Sequence, residues 1–295
     1  MKLIRTIYTL GLLAGLFASC SKESPLDGEQ YYKQVYIVGA YEVVQQFDVA
    51  YGDGPQNAYV AVATGGSQNI DRNVEVVLTH NDATIEWYNN KYMLDAPLKY
   101  QKLDDQFCSF PSMSTTIKAG DVYSRLPFTV ETSELDCDKL YALTFKIESV
   151  SDYVKQPKDT VLIMNLNLTN DFSGIYQMVA IRYTLTDNDE ELTPSSVNMQ
   201  RTLKAVNKNQ ARFFNVTQNS DLSPTGNITS EDYFNSIDNN GVTFTRQPDG
   251  TFTVAGWKNL PVSNGTVSFE DGTFTFCYDY ESGGKRYRLR GTMTK

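Results

Sequence analysis

From Gln34 onward the chain is written in short runs in which apolar and polar residues alternate. Val35-Tyr36-Ile37-Val38, Val43 to Val49, Ala58 to Ala63 and Val74 to Leu78 each carry the period of two that turns one strand face inward. Gly52-Asp53-Gly54-Pro55 and Gly65-Gly66-Ser67 are turn compositions between them. Strands of this length at this spacing predict a β-sandwich. Residues 81–93 break the alternation, and Asn81 or Asp82 is placed to cap a short helix carrying Ile85, Trp87, Tyr88 and Tyr92. Strands resume over Ser114–Lys118, Tyr123–Glu131 and Leu140–Ile147. Thr160–Leu168 completes the sandwich, and its Val-Leu-Ile-Met is apolar at successive positions, as in a central strand covered on both faces.

A polar Thr169-Asn170-Asp171 interrupts the pattern, and a second β run starts at Phe172. Gln200–Val206 and Arg212–Val216 are placed to pair as a hairpin around Asn207-Lys208-Asn209, and Ser230 opens a short helix. The end is a series of strands, Val242–Arg246, Thr251–Val254, Thr266–Phe269, Thr273–Tyr280 and Lys285–Met293. Pro248-Asp249-Gly250, Asn264-Gly265, Asp271-Gly272 and Ser282-Gly283-Gly284 supply the turns. Consecutive hairpins predict an up-and-down meander or a small barrel. Phe274, Phe276, Tyr278 and Tyr280 share one strand face, which reads as a core stripe, with a ligand-lined barrel interior as the alternative. The expected fold class is all-β, a sandwich over residues 33–168 followed by an antiparallel barrel-like domain over 170–295.

The start reads MKLIRTIYTLGLLAGLFASC. Lys2 and Arg5 precede an apolar run, Leu10 to Phe17, of signal-peptide length and too short for a permanent transmembrane helix. Ala18 and Ser19 then lead into Cys20, and the segment resembles a bacterial lipobox, with Phe17 where the usual pattern prefers Leu. The resemblance implies that residues 1–19 are removed and that the Cys20 thiol carries a diacylglycerol. The alternative is an ordinary secretory signal in which Cys20 is incidental. Residues 20–32, polar with Pro and Gly, read as a tether. A chain of 295 residues less these 19 leaves 276, enough for two domains of ordinary size.

Charge and composition remove several classes of function. Without Lys2 and Arg5 the balance is 24 basic against 35 acidic residues, or −11, and no Lys/Arg-rich cluster interrupts it. Nucleic acid is therefore not an expected partner, and anionic polymers are disfavoured for the same reason. His80 is the single histidine, which excludes most Ser-His-Asp and Cys-His arrangements and zinc sites with several imidazoles. It reads as a strand-end surface residue. Beyond Cys20 there remain Cys108, Cys137 and Cys277, an odd count that describes no disulfide framework. Cys108 and Cys137 could pair in an oxidising compartment, but buried free thiols are favoured. Asp187-Asn188-Asp189-Glu190-Glu191 offers oxygen ligands to calcium, but not in EF-hand register, and a solvated acidic hairpin is preferred. No motif calls for a metal or cofactor.

Lys139-Leu-Tyr-Ala-Leu-Thr-Phe-Lys-Ile-Glu-Ser, followed by Thr160-Val-Leu-Ile-Met-Asn-Leu, resembles the Ig-like N-terminal domain of Bacteroidetes surface lipoproteins, a type that also precedes family-18 glycosidase domains. Phe269-Glu-Asp-Gly-Thr-Phe-Thr-Phe with Lys285-Arg-Tyr-Arg-Leu-Arg-Gly-Thr-Met resembles the uncharacterised domain often joined to it in glycan-utilisation loci. These motifs are structural and carry no catalytic residues. They imply an accessory lipoprotein of the outer membrane that captures neutral oligo- or polysaccharide beside a transporter and its companion lipoproteins. A structural or protein-interaction subunit of the same system is the alternative. A glycoside hydrolase is the third reading, since Asp271 and Asp279-Tyr280-Glu281 only faintly resemble the family-18 signature, with Phe274 and Phe276 where acids belong. Sugar stacks its C–H face on exposed aromatic rings. Trp87-Tyr88-Asn89-Asn90-Lys91-Tyr92 crowds three rings and two amides into six residues, too many for one core from so short a segment. Trp87, assisted by Tyr88 and Tyr92, is the expected glycan contact. Trp257 is the second candidate, with a packing role at a loop end as its alternative.

Overall fold

The structure, a computed structural model, describes residues 28–215 and 228–295. Cys20 lies outside them.

Two sheets face each other in the first unit. One has the order β10 (Val154–Lys155), β1 (Gln34–Ile37), β3 (Gln56–Gly65), β8 (Tyr123–Val130), β6 (Cys108–Ser109). The other has the order β2 (Val44–Ala50), β11 (Val161–Thr169), β9 (Leu140–Val150), β4 (Val74–Thr79), β7 (Ser114–Ile117), with β5 (Tyr100–Lys102) parallel to the start of β9. Alternation sends Val35, Ile37, Val60, Val62, Leu126 and Phe128 from the first sheet into the space between, against Val76, Leu78, Leu143, Phe145, Leu162 and Met164 from the second. β11 is apolar on both faces for a specific reason. Leu162, Met164, Leu166 and Leu168 enter the inter-sheet core, while Ile163 on the other face packs with Ala142 and Ile85 under helix α1 (Ala83–Tyr92).

The second unit is a closed eight-stranded meander, β12 (Gly174–Leu185), β13 (Glu191–Asn207), β14 (Gln210–Phe214), β15 (Gly241–Arg246), β16 (Phe252–Gly256), β17 (Val262–Glu270), β18 (Thr273–Ser282) and β19 (Lys285–Thr294), sealed by pairing of β12 with β19. Helix α2 (Ser230–Asn240) leads into β15, and Thr229 caps it by accepting from the Asp232 N–H at 3.0 Å. Phe274, Phe276, Tyr278 and Tyr280 are all within 2% of fully buried and fill the barrel, so the core reading of this stripe holds. At Gly291 an added Cβ would sit 2.3 Å from the Val179 carbonyl oxygen, so only glycine permits this closing pair of strands.

Asp271-Gly272 and Gly283-Gly284 have positive φ at both central positions and make the two-residue hairpin turns expected of them. Asn264-Gly265 does not make a turn. β17 runs straight through it with a register shift between Ser263 and Thr266, so the positive φ of Asn264 serves a bulge. The acidic segment is a tight hairpin in which two of the four carboxylates are paired: Asp189 with Arg286 (2.6 Å), and Glu191 with Arg288 (3.3 Å) and Arg290 (2.6 Å). Cys108, Cys137 and Cys277 are free thiols, and burial pushes Cys137 up to about 11. His80 stands at the end of β4 with Nδ1 2.6 Å from the Thr144 carbonyl and its ring beside Phe110.

Candidate functional site

α1 lies on the outer face of the second sheet and is fixed at both ends. At its start the Asn81 N–H donates to Thr144 Oγ1 (2.9 Å), and that hydroxyl donates to Asp82 Oδ1 (2.9 Å). At its end the Asn89 amide donates to the Tyr100 carbonyl (2.7 Å) and accepts the Tyr100 N–H (3.0 Å), tying the helix to β5. Ile85 is buried beneath. Trp87 (46% exposed) projects from the opposite face and Tyr92 (57%) is exposed in the last turn, while Tyr88 is half-buried against Tyr100. The helical spacing i, i+4 brings Tyr88 to Tyr92 at 4.9 Å and sets Lys91 over Trp87 at 5.0 Å. Trp87 and Tyr92 meet edge to face at 5.8 Å. The three residues expected to contact a ligand thus form one cluster, held on a rigid sheet.

Trp257 is in a different place, with different neighbours. It follows β16, half-buried, with the Arg212 guanidinium 4.7 Å above its ring. Arg212, in β14, forms a bidentate pair with Asp138 of the sandwich (2.9 and 2.5 Å), and Lys204 of β13 adds a longer contact at 3.4 Å. The paired side chains are only 5% and 12% exposed. Burial pushes the Asp138 carboxyl up, but Arg212 and Lys204 outweigh it and hold it below the usual carboxylate range. Trp257 therefore shields the ion pair that joins sandwich to barrel. Asp136, Cys137 and Asp138 bring their ligand atoms within 4.8 Å of one another, but Asp138 is committed to this pair.

The same joint frames a cleft of about 1040 Å³, bordered by β2 and β11 on one side and by β12, β13 and α2 on the other. Asp48, Asn167, Thr202, Lys204, Phe214 and Tyr233 line it. Its residues come from separated stretches of chain, so no local motif marks it; the polar outer-face positions of β2 and β11 were its visible signal. A smaller groove of about 410 Å³ gathers Tyr36, Phe47, Tyr59, Tyr123 and Arg125 on the first sheet.

Of the carboxyl groups weighed for glycosidase chemistry, Asp279 is poorly suited to it. Asp279 is 2% exposed and held by Arg288 (2.7 and 2.9 Å) and Asn264 (2.9 Å). Burial pushes its carboxyl up, but Arg288 and Asn264 outweigh that and hold it low, the opposite of a general acid.

Residues 31–154 match the family model of an N-terminal domain, and residues 160–294 match that of a C-terminal domain. The chain carries both domain types in tandem. The second match begins before β11, a strand that pairs with β2 and β9 of the sandwich. No curated protein matches. Among solved structures, a Bacteroides ovatus protein of unknown function is similar at 18% identity and TM-score 0.61, over 89% of this chain and 94% of that one. A multidomain Bacteroides ovatus protein including DUF1735 gives 17% and 0.58, over 89% and 94%. An auxiliary nutrient binding protein from Bacteroides thetaiotaomicron gives 16% and 0.57, over 86% and 91%. At such identities the likeness shows a shared fold, and no catalytic family is indicated.

Proposed function

We propose that the protein is a non-catalytic, lipid-anchored glycan-capture protein of the outer membrane, holding neutral oligo- or polysaccharide for an uptake transporter and its companion lipoproteins. The observation that carries this reading is the Trp87–Tyr88–Tyr92 cluster, apolar ring surface kept in solvent by a helix pinned at both ends. Exposed aromatic area on a rigid support is what a sugar's C–H face requires, and the negative net charge favours uncharged ligands. The fold shared with a nutrient binding protein supports it. Affinity electrophoresis through gels containing neutral polysaccharides tests it: retardation by at least one polymer, reduced in Trp87→Ala, is expected. Migration unchanged in every polymer would remove the reading.

A protein-interaction subunit has its own observation. Ile175, Val179 and Ile181 are exposed in one row along β12, the outer wall of the barrel. If contact with the transporter complex is the whole function, Val179→Lys abolishes co-purification with it and no glycan is retained.

A further inference from the structure

We infer that the ligand is the interior of an extended neutral glycan chain, lying along one face of the second sheet from the α1 cluster into the cleft between sandwich and barrel. This rests on the glycan-capture reading and names the ligand's form and its second contact region.

The argument begins with strand parity. In β2 the residues Val44, Gln46 and Asp48 point away from the inter-sheet core, and in β11 so do Ile163, Asn165 and Asn167. The two strands run parallel in register, Ile163 beside Val44, Asn165 beside Gln46 and Asn167 beside Asp48. The first of these pairs is apolar and packs under α1. The next two are wholly polar. Val44 to Asp48 spans roughly 13 Å at the usual strand rise, more than one sugar ring.

The polar stretch is prearranged. Asp48 Oδ1 accepts from Asn167 Nδ2 (2.8 Å) and from Gln46 Nε2 (3.2 Å). This fixes three planar groups while leaving Asp48 Oδ2, both amide carbonyls and one N–H of each amide without hydrogen bonds among the described residues. Asn165 Oδ1, midway between helix and cleft, is a buried acceptor with no partner among the described residues. Planar groups with donors and acceptors side by side suit paired sugar hydroxyls. Beyond Asn167 the cleft adds Thr202 and the half-buried rings of Phe214 and Tyr233. Of the charged residues lining the cleft, Lys204 and Arg212 are already engaged by Asp138, which leaves Asp48 on one wall against Lys295 on the other. The Ser230 hydroxyl at the start of α2 donates to the Pro97 carbonyl in the loop after α1, which brings the barrel's helix to the border of the same face. The joint is held by the buried Asp138–Arg212 pair. Aromatic surface therefore stands at both ends of a polar track.

A chain that occupies the whole track binds more tightly as it lengthens. The test is calorimetric titration of gluco-, manno-, xylo- and galacto-oligosaccharides from two to six units, with wild type, Trp87→Ala and Asp48→Ala/Asn167→Ala, each checked by thermal melting. For the series that binds, wild-type affinity is expected to rise about tenfold or more with length. The double variant is expected to lose most of that rise while keeping wild-type affinity for the shortest ligand. Asp48→Asn, nearly isosteric, provides the same readout if the double variant melts early. Wild-type affinity for the longest ligand in a folded cleft variant, with loss only in Trp87→Ala, would overturn the track and leave glycan capture standing. Absence of binding by wild type across all series would overturn both.

Discussion

Trp87 and Trp257 are the same side chain in opposite circumstances. Trp87 is 46% exposed on a helix whose hold on the sheet comes from Ile85, Thr144 and Asn89, so its truncation removes little packing. Trp87→Ala is expected to weaken glycan affinity about tenfold, equivalent to about 1.4 kcal/mol, with melting temperature nearly unchanged. Trp257 covers Arg212, and Trp257→Ala opens a buried ion pair to water. Its cost is expected near 2–3 kcal/mol, below the range for a fully buried ring, with affinity for short glycans retained. Melting curves alongside titrations of the two variants check the pair; a reversed pattern would exchange their roles. The exposure at Trp87 was legible because three rings in six residues cannot share one core. The fate of Trp257 was not, because the group that occupies its ring face comes from β14, far away in sequence.

Elements show the same division between local and distant causes. Hairpins closed by Asp271-Gly272 and Gly283-Gly284 are written locally, since only such residues supply two consecutive positive φ angles cheaply. Asn264-Gly265 carries the same composition and became a bulge, because the neighbouring strand decides whether the chain reverses there. The contact of the turn before β9 with β13 and β14, through Asp138, Lys204 and Arg212, has no local signature at all. It does have a pH signature. Asp138 has a folded pKa below its unfolded value of about 3.9, so its contribution is complete above that value and is lost as pH falls through the folded one. The sandwich–barrel joint is therefore expected to loosen below about pH 4. Trp257 fluorescence in a Trp87→Phe background is the direct probe, since Trp257 stacks on Arg212. Asp138→Ala leaves Arg212 buried without its carboxylate and is expected to cost about 3–5 kcal/mol. A fluorescence signal flat between pH 6 and 3, with an unshifted melting temperature for Asp138→Ala, would deny the pair this role.

At the scale of the molecule, anchoring is the expectation carried by Cys20. A single acyl chain binds membranes marginally, whereas the several chains of a bacterial lipoprotein hold firmly. Cys20→Ser is expected to move the protein from membrane to soluble fractions, or to stall its processing; unchanged membrane retention would argue against lipidation. The two-layer and barrel architecture was legible because alternation and turn residues recur throughout the chain, while the cleft was not, being assembled from β2, β11, β13 and α2. The joint between the two units also makes a sharper prediction than the polar break at Thr169-Asn170-Asp171 alone. Each unit has its own core, and β11 belongs to the first: it lies between β2 and β9 and buries Leu162, Met164, Leu166 and Leu168 there. A fragment of residues 33–169 is therefore expected to unfold cooperatively. One of residues 33–159, cut where the C-terminal family match begins, loses the strand that joins β2 to the sheet and is expected not to fold. The longer fragment keeps α1 and its rings but has no opposing cleft wall, so it should bind short glycans as the full chain does and show no gain with length. Urea denaturation of both fragments, with the same titrations on the longer one, separates these outcomes. Cooperative unfolding of residues 33–159 would place the boundary before β11.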